Sequence, residues 1–239
     1  MKSIGSFAAW VSFAVLLGAS SSAFADELAH GKQLFALCSQ CHGDAAQGNQ
    51  TIGAPAIAGL PAWYVAEQLR KFSLGLRGKH FDDLEGMRMR PMSLWLVAER
   101  HASGDLDKER AQAAAEGRDE KLDPKILAVA AYVASLPATR PAAMVTDGDA
   151  ARGAASWPLC GSCHGVNGEG SQPQSAPPLA GQSDWYLLTS LKKFRAGTRG
   201  YDGPNDPFGA TMAGMANVLA DELAMKDVVA HISTLGKQE

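Results

Sequence analysis

Apolar residues recur at three- and four-residue spacing in five stretches of this chain. Leu28, Leu34, Phe35 and Leu37 mark the first, over 27–37. Tyr64, Val65, Leu69 and Phe72 line one face over 62–74, and the same face returns over 184–195. Residues 124–136 and 221–235 are apolar at i, i+3 and i+4. This spacing predicts amphipathic helices, and Pro124 suits the first turn of its helix. No run of alternating β-branched residues is present, so the pattern predicts an all-α protein.

The helical pattern is written twice. Shifted by 122 residues, the sequence overlays itself: Gly31 meets Gly153, Phe35 meets Trp157, and "LRKFSLGLRG" (69–78) meets "LKKFRAGTRG" (191–200). With one residue of slip, "GMRMRPMS" (86–93) meets "GATMAGMA" (209–216), and the last helical stretches then pair at a shift of 99. The first copy therefore carries an insertion of about 24 residues near 97–122. A Pro/Ala/Asp stretch over 137–148 reads as a linker. The predicted organisation is a first domain over 26–136 and a second over 149–239, each the size of a small domain.

The cysteines say what the two copies hold. There are four, Cys38, Cys41, Cys160 and Cys163, and each pair is followed at once by a histidine, His42 or His164. Cys-x-x-Cys-His is the attachment pattern of c-type haem, with two thiols forming thioethers to one porphyrin and the histidine placed under the iron. A redox dithiol expects a βαβ setting, which the helical pattern does not supply. A zinc site would draw ligands from positions about 120 residues apart. A pair of structural disulfides needs no histidine after both second cysteines. Two covalently bound haem c groups are therefore expected, and each would enlarge the core of a domain too short to build a large one alone.

The N-terminus bears on compartment. Lys2 precedes an apolar run from about Phe7 to Ala19, too short for a comfortable membrane span, and "AFA" at 23–25 is an A-x-A-like cleavage site. Residues 1–25 read as a secretory signal peptide cleaved after Ala25, which places the protein in the periplasm. Removing Lys2 leaves 21 basic against 25 acidic residues, so the formal charge moves from −3 to −4. That mild acidity argues against nucleic acid as a partner, and at most a peripheral membrane association is expected.

The order of helix, Cys-x-x-Cys-His, "PAIAG" (55–59) or "PPLAG" (177–181), middle helix, methionine segment and final helix resembles a class I cytochrome c. The whole resembles the dihaem cytochrome c4 family, with two such domains in tandem. The resemblance implies a methionine loop carrying the sixth iron ligand. The first copy offers Met87, Met89 and Met92, and the second Met212 and Met215; the repeat pairs Met89 with Met212 and Met92 with Met215. Met89 and Met212 lie 47 and 48 residues after their histidines and seven before Leu96 and Leu219, a spacing that resembles the c4-type ligand loop. They are the expected axial partners of His42 and His164, with His80 as the rival in the first half. Pro55 and Pro177, each 13 residues after its histidine, match the family position whose carbonyl accepts the histidine N–H. Trp63, Trp185, Arg77 and Arg199 are candidates for the haem edges. His231 stands where the other copy has Tyr132, and a packed position at a helix crossing is expected for it.

The resemblance further implies an electron carrier rather than an enzyme, with no catalytic residue. Its implied donor is a quinol-oxidising complex or a dehydrogenase, and its implied acceptor a terminal oxidase. Two other readings stay open: a cytochrome subunit docked to a dehydrogenase or oxidase, and a dihaem peroxidase-like or sulfur-compound oxidoreductase with one open haem. The insertion, charged and Ala-rich, reads as a solvated helix and loop or as a docking element.

Overall fold

The computed structural model describes the backbone of residues 8–116 and 121–236, and side chains from Phe24 to Gly236 except those at 110 and 113–120. Lys2 of the expected leader and residues 117–120 of the insertion lie outside the described residues. The helices are α1 (Ala8–His42), α2 (Ala62–Leu74), α3 (Leu84–Leu96), α4 (Ala98–Ala102), α5 (Asp105–Glu116) and α6 (Pro124–Ser135), followed by α7 (Ala150–His164), α8 (Asp184–Arg195), α9 (Pro207–Val218) and α10 (Glu222–Ile232). Among the described residues there is no strand. Two isolated bridges, Asn49 with Ala54 and Ser171 with Ala176, fall at equivalent points of the repeat. No helix among the described residues is long and apolar enough to cross a membrane.

Each half closes by crossing its last helix over its first. A side chain at Gly31 would sit 2.1 Å from the Ala128 carbonyl oxygen on α6, and one at Gly153 would sit 2.0 Å from that of Asp227 on α10. Glycine lets the paired backbones touch. The aromatic contact beside each crossing is also repeated. Phe35 packs on Tyr132 at 5.3 Å and Trp157 on His231 at 5.6 Å, both tilted by 55°. His231 is thus a packing residue where the first half has a tyrosine. Cores of Val65, Leu69, Ile126 and Val133, and of Leu187, Met225, Val228 and Ile232, fill the space under these crossings.

Three expectations need correction. The first helix does not stop at residue 37 but runs on through His42, because the attachment motif is itself helical. The methionines do not sit on loops. Met89 lies inside α3 and Met212 inside α9, helices started by Asp83 and Asp206, whose side chains accept from the Gly86 and Gly209 amides. The insertion is not simply solvated. It forms α4 and α5, and Leu106 of α5 is 2% exposed in the first core. The linker is fastened to the second half, where Asp184 Oδ2 accepts from Met144 and Val145 amides at 2.6 and 2.7 Å.

Candidate functional site

Both Cys-x-x-Cys-His motifs form the last turn of a helix, α1 or α7. Helical spacing puts the cysteines, at i and i+3, on one face. The histidine follows directly, and Gly43 and Gly165, at φ 80° and 81°, then turn the chain away. The turn is fixed by Gly48 and Gly170 amides donating to the histidine carbonyls at 2.8 and 2.7 Å. It brings a proline carbonyl back to each ring: Nδ1 of His42 stands 2.9 Å from Pro55 O, and Nδ1 of His164 2.8 Å from Pro177 O.

That bond decides the tautomer. A carbonyl only accepts, so Nδ1 carries the proton and Nε2 keeps its lone pair for a metal. Burial pushes both imidazoles below their ordinary pKa, against a smaller opposite pull from the proline carbonyl. At neutral pH both are neutral, the form a metal binds. No disulfide joins any of the four cysteines. Burial raises Cys38 to about 11 and raises Cys160 as well, the reverse of the lowered thiol pKa of a redox dithiol. Among the described residues the two cysteine pairs do not join in one metal-ligating cluster.

In the second half Cys160, Cys163, His164, Met212 and Met215 line one cavity of about 170 Å³. In the first half Cys38 and Met89 pack against the same core, while Met87 is 45% exposed. His80 lies elsewhere: it stacks on Phe81 at 4.7 Å, faces Tyr201 at 6.2 Å and accepts from the Asp82 amide. His30 and His101 are exposed.

The second cavity is not closed by its own half. Leu60, Tyr64, Gln68 and Lys71, from the first half, complete its wall. Where the halves meet, Arg77 lies over the Phe72 ring at 4.5 Å and Arg199 over Phe194 at 4.4 Å. Arg77 donates to Gln68 at 2.8 Å and to the Tyr186 hydroxyl at 3.0 Å, and its Nε is buried with no partner. Burial alone would raise the Tyr186 phenol, but Arg77 and Arg199 outweigh it and bring it down to about 7. A guanidinium bonded to an amide and a phenol still seeks an anion. Unprotonated Nε2 atoms beside paired cysteines, a methionine-lined cavity and two half-buried arginines, one with its Nε unpartnered, together fit a haem with its propionates. Trp63 and Trp185 pack edge-on against Tyr64 and Tyr186 at 5.7 and 5.8 Å. The interface roles of Tyr186, Gln68, Lys71 and Lys193 escaped sequence reasoning; the signals were that "LRKF" and "LKKF" recur in register, as do Trp63-Tyr64 and Trp185-Tyr186.

The comparisons agree with this chemistry. The cytochrome c family profile matches residues 28–96 and 150–236. A thiosulfate dehydrogenase electron acceptor of Stutzerimonas stutzeri (strain A1501) is 32% identical over 212 residues, covering 84% of this chain and 80% of that protein. Cytochrome c4 of Stutzerimonas stutzeri is 37% identical over 92 residues, 36% of this chain and 41% of that one. Among solved structures, thiosulfate dehydrogenase (TsdBA) of Marichromatium purpuratum superposes with a TM-score of 0.61 at 27% identity, covering 87% of this chain but only 40% of that one. Reduced recombinant cytochrome c4 of Pseudomonas stutzeri shares the fold, with a TM-score of 0.60 at 22% identity over 86% of this chain and 96% of that one. The chain thus belongs to the cytochrome c family, as a tandem two-domain electron carrier of the cytochrome c4 type with haem c bound covalently at Cys38 and Cys41 and at Cys160 and Cys163.

Proposed function

We propose that this protein is a periplasmic carrier in which His42 with Met89, and His164 with Met212, would be the residues that hold the two haem irons. The observation that carries the reading is the tie of each histidine Nδ1 to a proline carbonyl, which leaves Nε2 as the ligand atom. Haem iron supplies a one-electron Fe(III)/Fe(II) couple. The protein's own residues do the rest. The prolines orient the imidazoles, and the Met89 and Met212 side chains would supply the second protein ligand to each iron and favour its reduced state. Leu219 and Phe194 help keep water from the second cavity, and Arg77 and Arg199 neutralise propionates where the halves meet. With both ligands supplied by the protein, the chemistry the haem would supply is outer-sphere electron transfer. The leader-like sequence over 1–25 and the extracytoplasmic attachment of haem c support export after Ala25.

The donor proposed is a dehydrogenase. The likeness to a thiosulfate dehydrogenase electron acceptor over most of both chains supports it, with an oxidase as the eventual acceptor. A second reading, a cytochrome unit held in one assembly with its dehydrogenase, is favoured by the match to 40% of the TsdBA chain. The test is a redox titration of the purified holoprotein with optical detection, combined with carbon monoxide. Two haems per chain, methionine–iron charge-transfer absorption for both and carbon monoxide uptake only as slowly as methionine dissociates are expected. One haem per chain, or an iron open to the gas, would refute the carrier reading.

A further inference from the structure

The helices that carry Met89 and Met212 each start at a carboxylate sealed inside the protein. Asp83 is 1% exposed and Asp206 5%. In each, Oδ1 accepts from an amide of the first turn, Gly86 N at 3.1 Å and Gly209 N at 2.9 Å. The same oxygen is also gripped by a lysine of the opposite half. Lys71 Nζ, on α2, lies 2.7 Å from Asp206 Oδ1. Lys193 Nζ, on α8, bonds Asp83 Oδ1 and stands 2.6 Å from Glu85 Oε2. Lys71 and Lys193 are equivalent positions of the repeat, 122 residues apart, so the contact is made once in each direction.

A capping carboxylate fixes where a helix begins, and α3 and α9 are short rods of 13 and 12 residues. Each methionine lies six residues beyond its aspartate, about 9 Å along the axis. Whatever holds the cap therefore holds the methionine, and a cross-domain lysine holds the cap. We propose that Lys71 and Lys193 are positioning residues for the sixth haem ligands that act across the domain boundary. Lys71, in the first half, sets α9 and Met212; Lys193, in the second, sets α3 and Met89. The inference rests on Met89 and Met212 being those ligands. It makes the two haem sites mechanically dependent on one another, since parting the domains releases both helices at once.

The test uses the full-length holoprotein with Lys71→Met and Lys193→Met made separately. Two readouts are taken: the NMR methyl signals of the haem-bound methionines, assigned to each haem, and the rate at which carbon monoxide displaces each methionine. Lys71→Met is expected to speed displacement at the second haem about fivefold, the value of a typical lost cap, with the first haem unchanged. Lys193→Met is expected to give the reverse. Displacement at the haem of the mutated half, equal change at both, or no change at either overturns the proposal. Removing a lysine strands a buried carboxylate, so Lys71→Met/Asp206→Asn and Lys193→Met/Asp83→Asn are compared as well. Asparagine keeps the cap bond without the charge. The same crossed pattern is expected, and parental rates at both haems overturn the proposal. A parent protein lacking two haem-bound methionine signals overturns the ligand reading and this proposal with it. A parent showing both signals, with no crossed pattern in the variants, overturns this proposal alone.

Discussion

Gly153→Ala sets two general effects against each other in one residue. Alanine is the better helix former by about 1 kcal/mol, so on α7 alone the change is stabilising. Its methyl, however, would lie 2.0 Å from the Asp227 carbonyl oxygen, 2.5 Å from its carbon and 2.9 Å from the Val228 nitrogen. These are backbone atoms inside α10, which cannot swing aside. To reach an ordinary contact of 3.4 Å, α7 and α10 must part by about 1.4 Å. A gap of 0.5–1 Å already forfeits about a quarter to a half of each dispersion contact, and forced core expansion costs about 1–3 kcal/mol. Taking about 3 for a full helix crossing and subtracting the propensity gain leaves about 2 kcal/mol. In a domain of this size that lowers the midpoint of unfolding by about 8–16 °C. Calorimetry of the holoprotein measures it, with Gly214→Ala as control. Gly214 is exposed on α9, and a methyl there meets no atom within 4 Å, so its midpoint should rise by a few degrees. If Gly153→Ala leaves the second transition unchanged or raises it, the close crossing is not what the glycine is for.

Met212→Ala should open one haem per chain to carbon monoxide and lower the potential of that haem alone, measured by gas titration and voltammetry. Leu106→Ala should destabilise the first half by about 2–5 kcal/mol, as a buried leucine does; a cost near zero in a thermal melt would show that the insertion merely lies on the core. Arg152→Ala removes the guanidinium bonds that do most to hold Asp227 below its ordinary pKa, leaving the Asp149 amide. Because the folded pKa is depressed, this stabilisation is complete above the unfolded carboxylate range and fades as pH falls through the folded value. The variant should therefore melt earlier than the parent at neutral pH, with the gap closing in strong acid; a gap independent of pH would contradict the assignment.

How legible each element was depended on what kind of signal it carried. The helices expected over 62–74 and 184–195 fall at Ala62–Leu74 and Asp184–Arg195, because a strong apolar face ends at a glycine or a polar turn. The helical turn over Cys38–His42 has no apolar period, since its outward face is meant for a cofactor and not for protein. The methionine helices were hidden for a related reason. Pro91 stands inside α3, Gly209 and Gly214 dilute α9, and Met212 and Met215 of α9 line the cavity. The signals that could have found them were Asp83 and Asp206, each three residues before the glycine whose amide it accepts, and Pro207 in the first turn of α9. Leu106 was illegible because one apolar residue in a charged segment sets no period. The proline carbonyls expected beside the histidines do stand at hydrogen-bond distance. Nothing in a linear pattern separates an interface lysine from a solvated one.

Tandem copies that pack face to face inherit the logic of a two-fold dimer, in which every contact is made twice. Here the symmetry is kept selectively. Lys71 with Asp206 and Lys193 with Asp83 survive in both directions. Tyr201 hydroxyl donating to Gly75 O at 2.7 Å and Gln182 donating to Ala56 O at 3.0 Å occur in one direction only, for their repeat partners are Lys79 and Leu60. The difference follows from cost. A neutral hydrogen bond is worth about 1 kcal/mol net, which a joined pair of domains can lose on one side. Stranding a buried carboxylate costs about 3–5 kcal/mol, several times the loss of a neutral bond, and Asp83 and Asp206 are both buried. The buried charges therefore hold the two copies in register while the neutral contacts diverge. That divergence leaves the two sites unequal: Tyr186 takes the influence of both Arg77 and Arg199, and Ser93 in α3 faces its surroundings with an unpaired hydroxyl where α9 has Ala216. Two unequal sites in one frame, unlike two separate copies of one domain, can be tuned separately.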